Sequence, residues 1–250
     1  MLKKSKKVSI ITVCFNSEDT ISDTIESVNS QTFQDLEHIF IDGKSTDSTL
    51  KIIKKESKRD KLIISEKDSG LYDAMNKGIG YSKGEIIFIL NSDDIFYDNH
   101  VVEDVVNSFK DDIDIVYGNI IFFEKKDSHI NFSRKWIVNE LKTDFLNGWH
   151  PAHPGFVVKK RVYLKHGVFD TKLKIASDFE LMLRFLQIFN CKSTYLNRFI
   201  VGQRLGGLST NLDGIAKGYQ EIKYSFQKHN LKINLFYFIR RYIQKILQNI

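Results

Sequence analysis

Short apolar runs recur through the first half of the chain at residues 8–15, 37–41, 61–65, 86–90 and 113–117. After each of the first four comes a polar stretch and then apolar residues at helical spacing, over 20–31, 46–57, 72–81 and 100–109. Such alternation predicts parallel strands joined by crossover helices, a doubly wound α/β sheet of the type that binds nucleotides. The pattern fades over 124–150, which reads as a connection crossing or covering a site. Near 231–250 a different pattern takes over: Leu235, Ile239, Tyr242, Ile243, Ile246 and Ile250 repeat at helical spacing, with Arg240, Arg241, Gln244, Lys245 and Gln248 largely on another face. That is an amphipathic basic helix. No Pro/Gly/Ser-rich linker cuts the chain, so the expectation is one domain over 1–215 followed by a helical tail over 216–250.

With 250 residues, 42% of them hydrophobic and 27% charged, the chain has the composition of an ordinary globular protein with enough material for a full core. Only Cys14 and Cys191 are present, far apart, so neither a disulfide framework nor a thiolate metal site is indicated and a reducing cytosol fits. The basic start, Met1-Leu2-Lys3-Lys4-Ser5-Lys6-Lys7, leads into eight apolar-rich residues, too few for a signal segment or a membrane span. A net charge of +6 admits nucleic acid, anionic lipid or a phosphate-bearing ligand. Nucleic acid is the weakest of these, because no basic and aromatic module accompanies the charge.

Chemistry concentrates at the ends of the apolar runs. Asn91-Ser92-Asp93-Asp94 follows residues 85–90 directly and sets two adjacent carboxylates at the carboxyl end of a buried strand, where ligands of open α/β sheets sit. Adjacent carboxylates repel and are costly to desolvate, so they call for water, a basic side chain or a divalent metal. The alternative is a solvated turn. Asp42 ends another strand at the same edge, ahead of Gly43-Lys44-Ser45-Thr46-Asp47 with its several helix-capping candidates. Asp178, in Ala176-Ser177-Asp178-Phe179-Glu180, opens a helix, and by itself reads as a cap. His150 and His153 each precede a proline in His150-Pro151-Ala152-His153-Pro154, which biases them to extended backbone and does not favour a zinc pair. His150 reads as structural. No glycine-rich phosphate loop follows any strand, which argues against dinucleotide oxidoreductases and P-loop NTPases.

Taken in order, Val8-Ser9-Ile10-Ile11-Thr12-Val13-Cys14-Phe15-Asn16, Ile41-Asp42-Gly43-Lys44-Ser45-Thr46-Asp47, Asp68-Ser69-Gly70-Leu71-Tyr72-Asp73-Ala74-Met75-Asn76 and Leu90-Asn91-Ser92-Asp93-Asp94 resemble the successive signatures of family 2 glycosyltransferases. His153, Gly167-Val168-Phe169-Asp170, Ser177-Asp178-Phe179-Glu180 with Arg184, and Gly206-Gly207-Leu208-Ser209 resemble the subgroup that builds bacterial surface polysaccharides, O-antigen or capsule. The resemblance spans about residues 8–210. It implies a GT-A fold, Rossmann-like with a mostly parallel central sheet and flanking helices, here with C-terminal amphipathic helices added.

Carried over by position, the resemblance implies that Asp42 pairs with a nucleotide base, Thr12 and Asn16 line the same cleft, and Asp68 lies near the nucleoside. Asn91 and Ser92 would contact the nucleotide-sugar, and Asp93 with Asp94 would hold Mn²⁺ or Mg²⁺ against the growing charge of the departing diphosphate. Asp178 would be the general base, giving inversion at the anomeric carbon. His153 and Arg204 are candidates for acceptor or diphosphate contact. One position departs from the pattern: Asn91 stands where the family's motif begins with a carboxylate, which weakens the expected metal affinity. The implied partners are a nucleotide-sugar donor, UDP-linked first of all, and a saccharide acceptor on undecaprenyl diphosphate. The implied location is cytoplasmic, peripheral at the inner face of the cell membrane through the basic tail. A catalytically silent nucleotide-sugar or polysaccharide-binding module is the alternative.

Overall fold

A computed structural model describes residues 7–110, 112–127, 129–140, 145–206, 212–234 and 236–248. Gly207, Leu208, Ser209, Leu235 and Ile250, which carried part of the reading above, lie outside the described residues. The chain opens with β1 (Val8–Cys14), α1 (Ile21–Asn29), β2 (Leu36–Asp42), α2 (Thr49–Glu56), β3 (Asp60–Ser65), α3 (Leu71–Tyr81) and β4 (Ile86–Ile89). It continues through β5 (Ile95–Phe96), α4 (Val101–Ser108), β6 (Ile115–Lys126), β7 (His129–Trp136), β8 (Phe156–Lys159) and α5 (Lys160–His166). Last come α6 (Ser177–Leu183), which runs on into a π-helical turn, Arg184–Ile188, then β9 (Ser193–Arg204), α7 (Leu212–Lys228) and α8 (Tyr237–Gln248).

The strands lie in the order β3-β2-β1-β4-β8-β6-β9-β5, with β7 paired to β6. From β3 to β4 every pairing is parallel. Helical crossovers connect those strands, and β1, β2 and β4 are buried at every residue and read as mainly apolar runs. Beyond β4 the sheet is mixed: β8 is antiparallel to β4 and β6, β6 and β9 are parallel, and β5 is antiparallel to β9.

Alternation along β1 divides the core. Val8 and Ile10 face α1 and α4, packing with Val28, Val101, Val102 and Val105. Ile11 and Val13 face the other side, with Tyr72 and Met75 of α3, Tyr163 of α5 and Phe179 of α6.

Two expectations change. The strand expected over 113–117 is twelve residues long, and the region expected to cover the site begins as a β6–β7 hairpin. Its outer half is exposed and carries Glu124, Lys125, Lys126, His129, Arg134 and Lys135, so solvation erased the apolar signal. The boundary expected at 215 falls inside α7. Glu221 of that helix accepts the backbone N–H groups of Lys174, Ile175 and Ala176 at 2.8–2.9 Å, and so supports the start of α6. Glu180 of α6, fully buried, meets Arg184 at 3.0 Å, Lys228 at 3.1 Å and His229 at 2.8 Å. Burial alone would raise the Glu180 carboxyl, but the hydrogen bonds and charge of Arg184, with hydrogen bonds from His229 and Lys228, hold it below its ordinary value. α8 docks as well: Tyr237 meets Phe226 edge-on at 5.0 Å, and the Arg241 guanidinium lies 5.0 Å from the Phe179 ring centre.

Close packing between α3 and β1 rests on one small residue. A Cβ on Gly78 would lie 2.3 Å from Ile11 Cγ2, whereas one on Gly80, two residues along the same helix, would meet nothing within 4 Å. Gly78→Ala is expected to destabilise the fold by about 1–3 kcal/mol through overpacking. Gly80→Ala should be neutral or stabilising by up to about 1 kcal/mol. Chemical denaturation of the two variants checks the contrast.

Candidate active site

Four loops leave the carboxyl edge of the parallel strands and are laced to one another. Asn16 adopts φ +47°, a left-handed conformation that asparagine tolerates. Its Oδ1 accepts the Thr46 N–H at 2.9 Å, and its own N–H donates to Ser45 Oγ at 2.8 Å. Ser17 Oγ and Ser92 Oγ are 2.9 Å apart, which joins the loop after β1 to the acidic quartet after β4. Asp68 accepts the Gly70 N–H at 2.9 Å, and its other oxygen would be 2.8 Å from a Cβ on Gly43. Glycine at 43 therefore lets the loops after β2 and β3 meet.

Two residues expected to meet the ligand are buried and hydrogen-bonded within the protein. Asp42 is fully buried, accepting from the Ser45 N–H and hydroxyl and from the Ser65 hydroxyl at 2.6 Å. With both oxygens engaged beneath the surface, it anchors the turn after β2. Thr12 is equally buried, its hydroxyl 2.9 Å from His38 Nε2. Burial pushes the His38 imidazole down to about 3, so this pair is neutral. The exposed group in this corner is Phe15, 62% accessible and adjoining Asn16 and Gly43. It is a flat apolar surface at the loop's lip to which sequence reading gave no role.

The quartet itself is tightly held. Asn91 Nδ2 donates to Asp94 Oδ2 at 3.1 Å, the Arg204 backbone N–H donates to Asp94 Oδ1 at 3.1 Å, and the Thr24 hydroxyl donates to the Asp94 carbonyl at 2.7 Å. Arg204 turns its guanidinium away from the two carboxylates. Its Nε donates to the Asp93 carbonyl at 3.1 Å and its Nη2 pairs with Asp23 at 2.7 Å, while the group lies 4.8 Å from the Phe123 ring centre. Arg204 thus braces the motif from behind, a commitment that leaves it poorly placed to meet phosphate.

Burial raises the Asp93 carboxyl despite the opposing charge of Arg204. Burial, and then the neighbouring charge of Asp93, raise Asp94 further, well above the ordinary aspartate range. Among the described residues, buried Asn91 Oδ1 accepts no hydrogen bond. Two carboxylates short of positive charge and an idle amide oxygen together fit a divalent cation. Among the described residues no group of three His, Cys, Asp or Glu side chains converges to hold a metal. The remaining ligands would therefore come from water and from a bound phosphate group, as suits Mg²⁺ or Mn²⁺.

Asp178 sits in the first turn of α6 but is not its cap. Ala176 occupies that position, and Glu221 satisfies the backbone N–H groups there. Asp178 Oδ1 accepts the Phe179 N–H at 2.8 Å and faces the Tyr72 hydroxyl at 3.2 Å. Among the described residues Oδ2 makes no hydrogen bond. Burial and the charge of Asp178 hold the Tyr72 phenol well above its usual value, so it stays a donor. Phe169 stacks on Tyr72 and meets His153 edge-on, both at 5.5 Å. Burial pushes the His153 imidazole down while the Asp178 charge pulls it up, the first effect prevailing.

His153 begins a short 3-10 turn, His153–Gly155, where extended backbone was expected. His150 packs between Trp136 and Phe179 at 5.4 and 5.5 Å, a structural role. Asn76 exchanges two hydrogen bonds with the Phe169 backbone at 2.9 Å each. Tyr72, Asn76 and Glu221 are positioning groups that sequence reading left without roles, although the first two stand in a quoted motif.

A sheet parallel at its leading strands, with an acidic motif after β4 and a carboxylate facing the start of α3, has the form of a GT-A transferase. The family model described as glycosyl transferase family 2 matches residues 9–167, and the chain belongs to that family. It is similar to an uncharacterized glycosyltransferase of Mycobacterium tuberculosis, with 30% identity over 185 residues, 71% of this chain and 68% of that protein. It also resembles the Escherichia coli UDP-Glc:alpha-D-GlcNAc-diphosphoundecaprenol beta-1,3-glucosyltransferase WfgD, with 36% identity over 113 residues, 45% of each chain. In fold it is similar to the mannosyltransferase PcManGT of Pyrobaculum calidifontis, solved with GDP-Man and Mn²⁺. There the TM-score is 0.68 at 16% identity, over 95% of this chain and 69% of that one. S. aureus TarS 1-349 with UDP gives 0.66 at 17%, over 94% and 68%.

If Asp93 and Asp94 hold a cation, Mn²⁺ together with UDP should raise Tm at neutral pH. At about 100 times Kd the gain is about 2.7 kcal/mol, or roughly 5–10 °C for a domain of this size. Asp93→Ala is expected to abolish the Mn²⁺-dependent part, as differential scanning fluorimetry with and without chelator would record.

Proposed function

We propose that this chain is an inverting, metal-dependent glycosyltransferase. It moves a hexose or N-acetylhexosamine from a nucleotide-sugar, UDP-linked first of all, to a saccharide acceptor carried on a lipid diphosphate during synthesis of a bacterial surface polysaccharide. The observation that carries this reading is the divided carboxylate of Asp178. Oδ1 accepts the Phe179 N–H at 2.8 Å and lies 3.2 Å from the Tyr72 hydroxyl, whose proton is shared with the Ile175 carbonyl at 2.9 Å, and Oδ2 is left to receive the proton of an acceptor hydroxyl. Asp93 and Asp94 would hold Mn²⁺ or Mg²⁺, which supplies charge to the departing diphosphate. Asn16, Ser92 and Asp68 border the same edge and would meet the donor, with Phe15 as a surface against its base. His153, neutral and beside Asp178, would meet the acceptor.

Asp178→Asn is expected to reduce transfer by about 10²–10⁴-fold, the usual contribution of a general base, while leaving the thermal shift with Mn²⁺ and UDP intact. Mass spectrometry of products from a panel of UDP-, GDP- and dTDP-sugars reads the outcome. A chain that binds donors with metal yet turns none over, with or without acceptor, would instead be the silent binding module.

The lipid-borne acceptor is supported by the tail. Tyr237 and Arg241 turn α8 inward, so Phe236, Ile239, Tyr242, Ile243 and Ile246 stand 49–62% exposed. Among the described residues no helix is long and apolar enough to cross a membrane. An exposed apolar stripe on a chain of net charge +6 suits peripheral docking on an anionic lipid surface at the inner face of the cell membrane. Replacing Ile239 and Ile243 together by Asp is expected to weaken binding to phosphatidylglycerol-containing vesicles by at least about tenfold, given the apolar area lost, with Tm unchanged. Equal co-sedimentation of variant and wild type would remove the tail from the membrane reading.

A further inference from the structure

Away from the edge where Asp93 and Asp178 lie, a cavity of about 850 Å³ opens between the start of α4, the β6–β7 hairpin and the middle of β9. That volume is within the range of small-ligand sites. We propose that this cavity is a second binding site, for a neutral oligosaccharide. The proposal rests on the reading of the chain as a glycosyltransferase with a saccharide acceptor, and gives the acceptor or product chain a separate hold.

Its construction begins with an irregularity in β9. Gly118 of β6 is opposite Leu196, but Asn119 is opposite Phe199 and Ile120 opposite Val201, so β9 carries extra residues at 197–198 and again at 200. Bulges of this kind re-aim side chains and gather beside functional sites. The bulge folds closely over β6, where a Cβ on Gly118 would lie 2.9 Å from the Leu196 carbonyl oxygen and 2.8 Å from Ile200 Cδ1. Asn197 and Arg198 are thereby delivered to the cavity wall.

Charge and shape then narrow the ligand. Arg198 is paired with both Asp98 and Asp104, and Lys135 is the remaining charged group of the lining, so four charges sum to zero. Such a wall offers no surplus positive charge for a nucleotide or phosphate and no surplus negative charge for a cation. The amides are held ready by one another: Asn119 Oδ1 accepts the Val138 N–H at 2.9 Å and the Tyr195 hydroxyl at 3.0 Å, and Asn119 Nδ2 donates to Asn197 Oδ1 at 3.4 Å. Asn107 stands exposed at the rim. Tyr97 and Phe199, with ring centres 5.3 Å apart, supply flat apolar surface, and Phe132 extends it at 5.5 Å from Tyr97. Aromatic planes beside fixed amides match a pyranose, which has one apolar C–H face and a rim of hydroxyls.

The site is separate from the donor edge yet tied to it. β5 has Asp94 at one end and Tyr97 at the other. On β9, Arg204 braces Asp93 and Asp94 while Phe199 lines the cavity; their partners on β6, Phe123 and Asn119, are four residues apart, roughly 13 Å along the strand. A saccharide in the cavity would not compete with a nucleotide.

Saturation-transfer NMR on the full chain without donor tests this with cellotetraose, laminaritetraose, maltotetraose and tetra-N-acetylchitotetraose as probes. At least one should bind, with affinity reduced about tenfold or more, or 1.4 kcal/mol, by Tyr97→Ala and by Asn107→Ala. Tyr97→Phe, which keeps the ring, should retain binding, as should Asp178→Asn and the wild type saturated with Mn²⁺ and UDP. Absence of binding by all four up to ~10 mM overturns the proposal. So does binding that survives Tyr97→Ala but is lost with UDP or in Asp178→Asn. Because no donor is present, the result stands apart from turnover: a chain that binds these probes but transfers nothing loses the transferase reading and keeps this site.

Discussion

Asp93 and Asp94 are held side by side and largely out of water at the end of β4, and the surrounding structure withholds a cation from their side chains. Arg204 is close enough to serve. Instead it spends its guanidinium on the Asp93 carbonyl and on Asp23, and offers Asp94 only a backbone N–H. Burial, joined at Asp94 by the charge of Asp93, raises both carboxyls above their ordinary range against the lowering influence of Arg204, a cost that an external cation would relieve. Reaching this geometry explains much of the second half of the sheet. β9 must run past β6 and turn Arg204 onto the loop after β4, and β5 must pair with β9 so that the loop's far end is fixed.

The opposing wall obeys the same logic of relieving one group so that another is free. An aspartate in a first helical turn is ordinarily consumed by the orphan N–H groups around it. Here Asp178 Oδ1 accepts one of them, the Phe179 N–H, and shares the Tyr72 hydroxyl of α3 with the Ile175 carbonyl, while Glu221 of α7 takes the donors of Lys174, Ile175 and Ala176 just ahead of α6. Among the described residues Asp178 Oδ2 makes no hydrogen bond. α7 is in turn held by the buried cluster of Glu180 with Arg184, Lys228 and His229. The helices after the sheet are therefore part of the machinery that orients the candidate base. α8 joins them through Arg241 over Phe179, the residue next to Asp178. A lipid surface engaging the outer stripe of α8 would press on a helix packed directly against that segment.

The leading half of the fold was legible because parallel, doubly covered strands are built mainly of apolar residues, so β1, β2 and β4 announce themselves. The trailing half was not. β6 and β7 leave the core midway and become charged, β8 is four residues long, and α7 reads as a tail until Glu221 and Glu180 reveal what it supports. In the site, the acidic quartet drew attention by its place at a strand end, whereas Asp178 by itself read as a helix cap and took its proposed role from the family resemblance. Asp42 and Thr12 stood in equally good motifs and yet point inward. A motif fixes which residues come to an edge, but not which of them face out: Asp42 is diverted by Ser45 and Ser65, one near in sequence and one on the next strand, and Thr12 by His38 across the sheet. Tyr72 was hidden for the opposite reason, since a tyrosine at helical spacing reads as core and only its hydroxyl belongs to the site.

Asn91 shows why a departure from a family pattern need not weaken a site. A carboxylate there would set a third negative charge beside Asp94, whose own carboxyl already resists ionisation, and would repel the oxygen that the Asn91 amide now holds at 3.1 Å. The amide donates to that oxygen and lowers the repulsion. Its carbonyl, buried and accepting no hydrogen bond among the described residues, still presents an oxygen of the kind that hard divalent cations take. Exchanging charge for dipole at this position trades some attraction for the cation against easier ionisation of its neighbour. Were Asp94 to hold a metal as proposed, the hydrogen bond from Asn91 would favour the ionised carboxylate that binding requires.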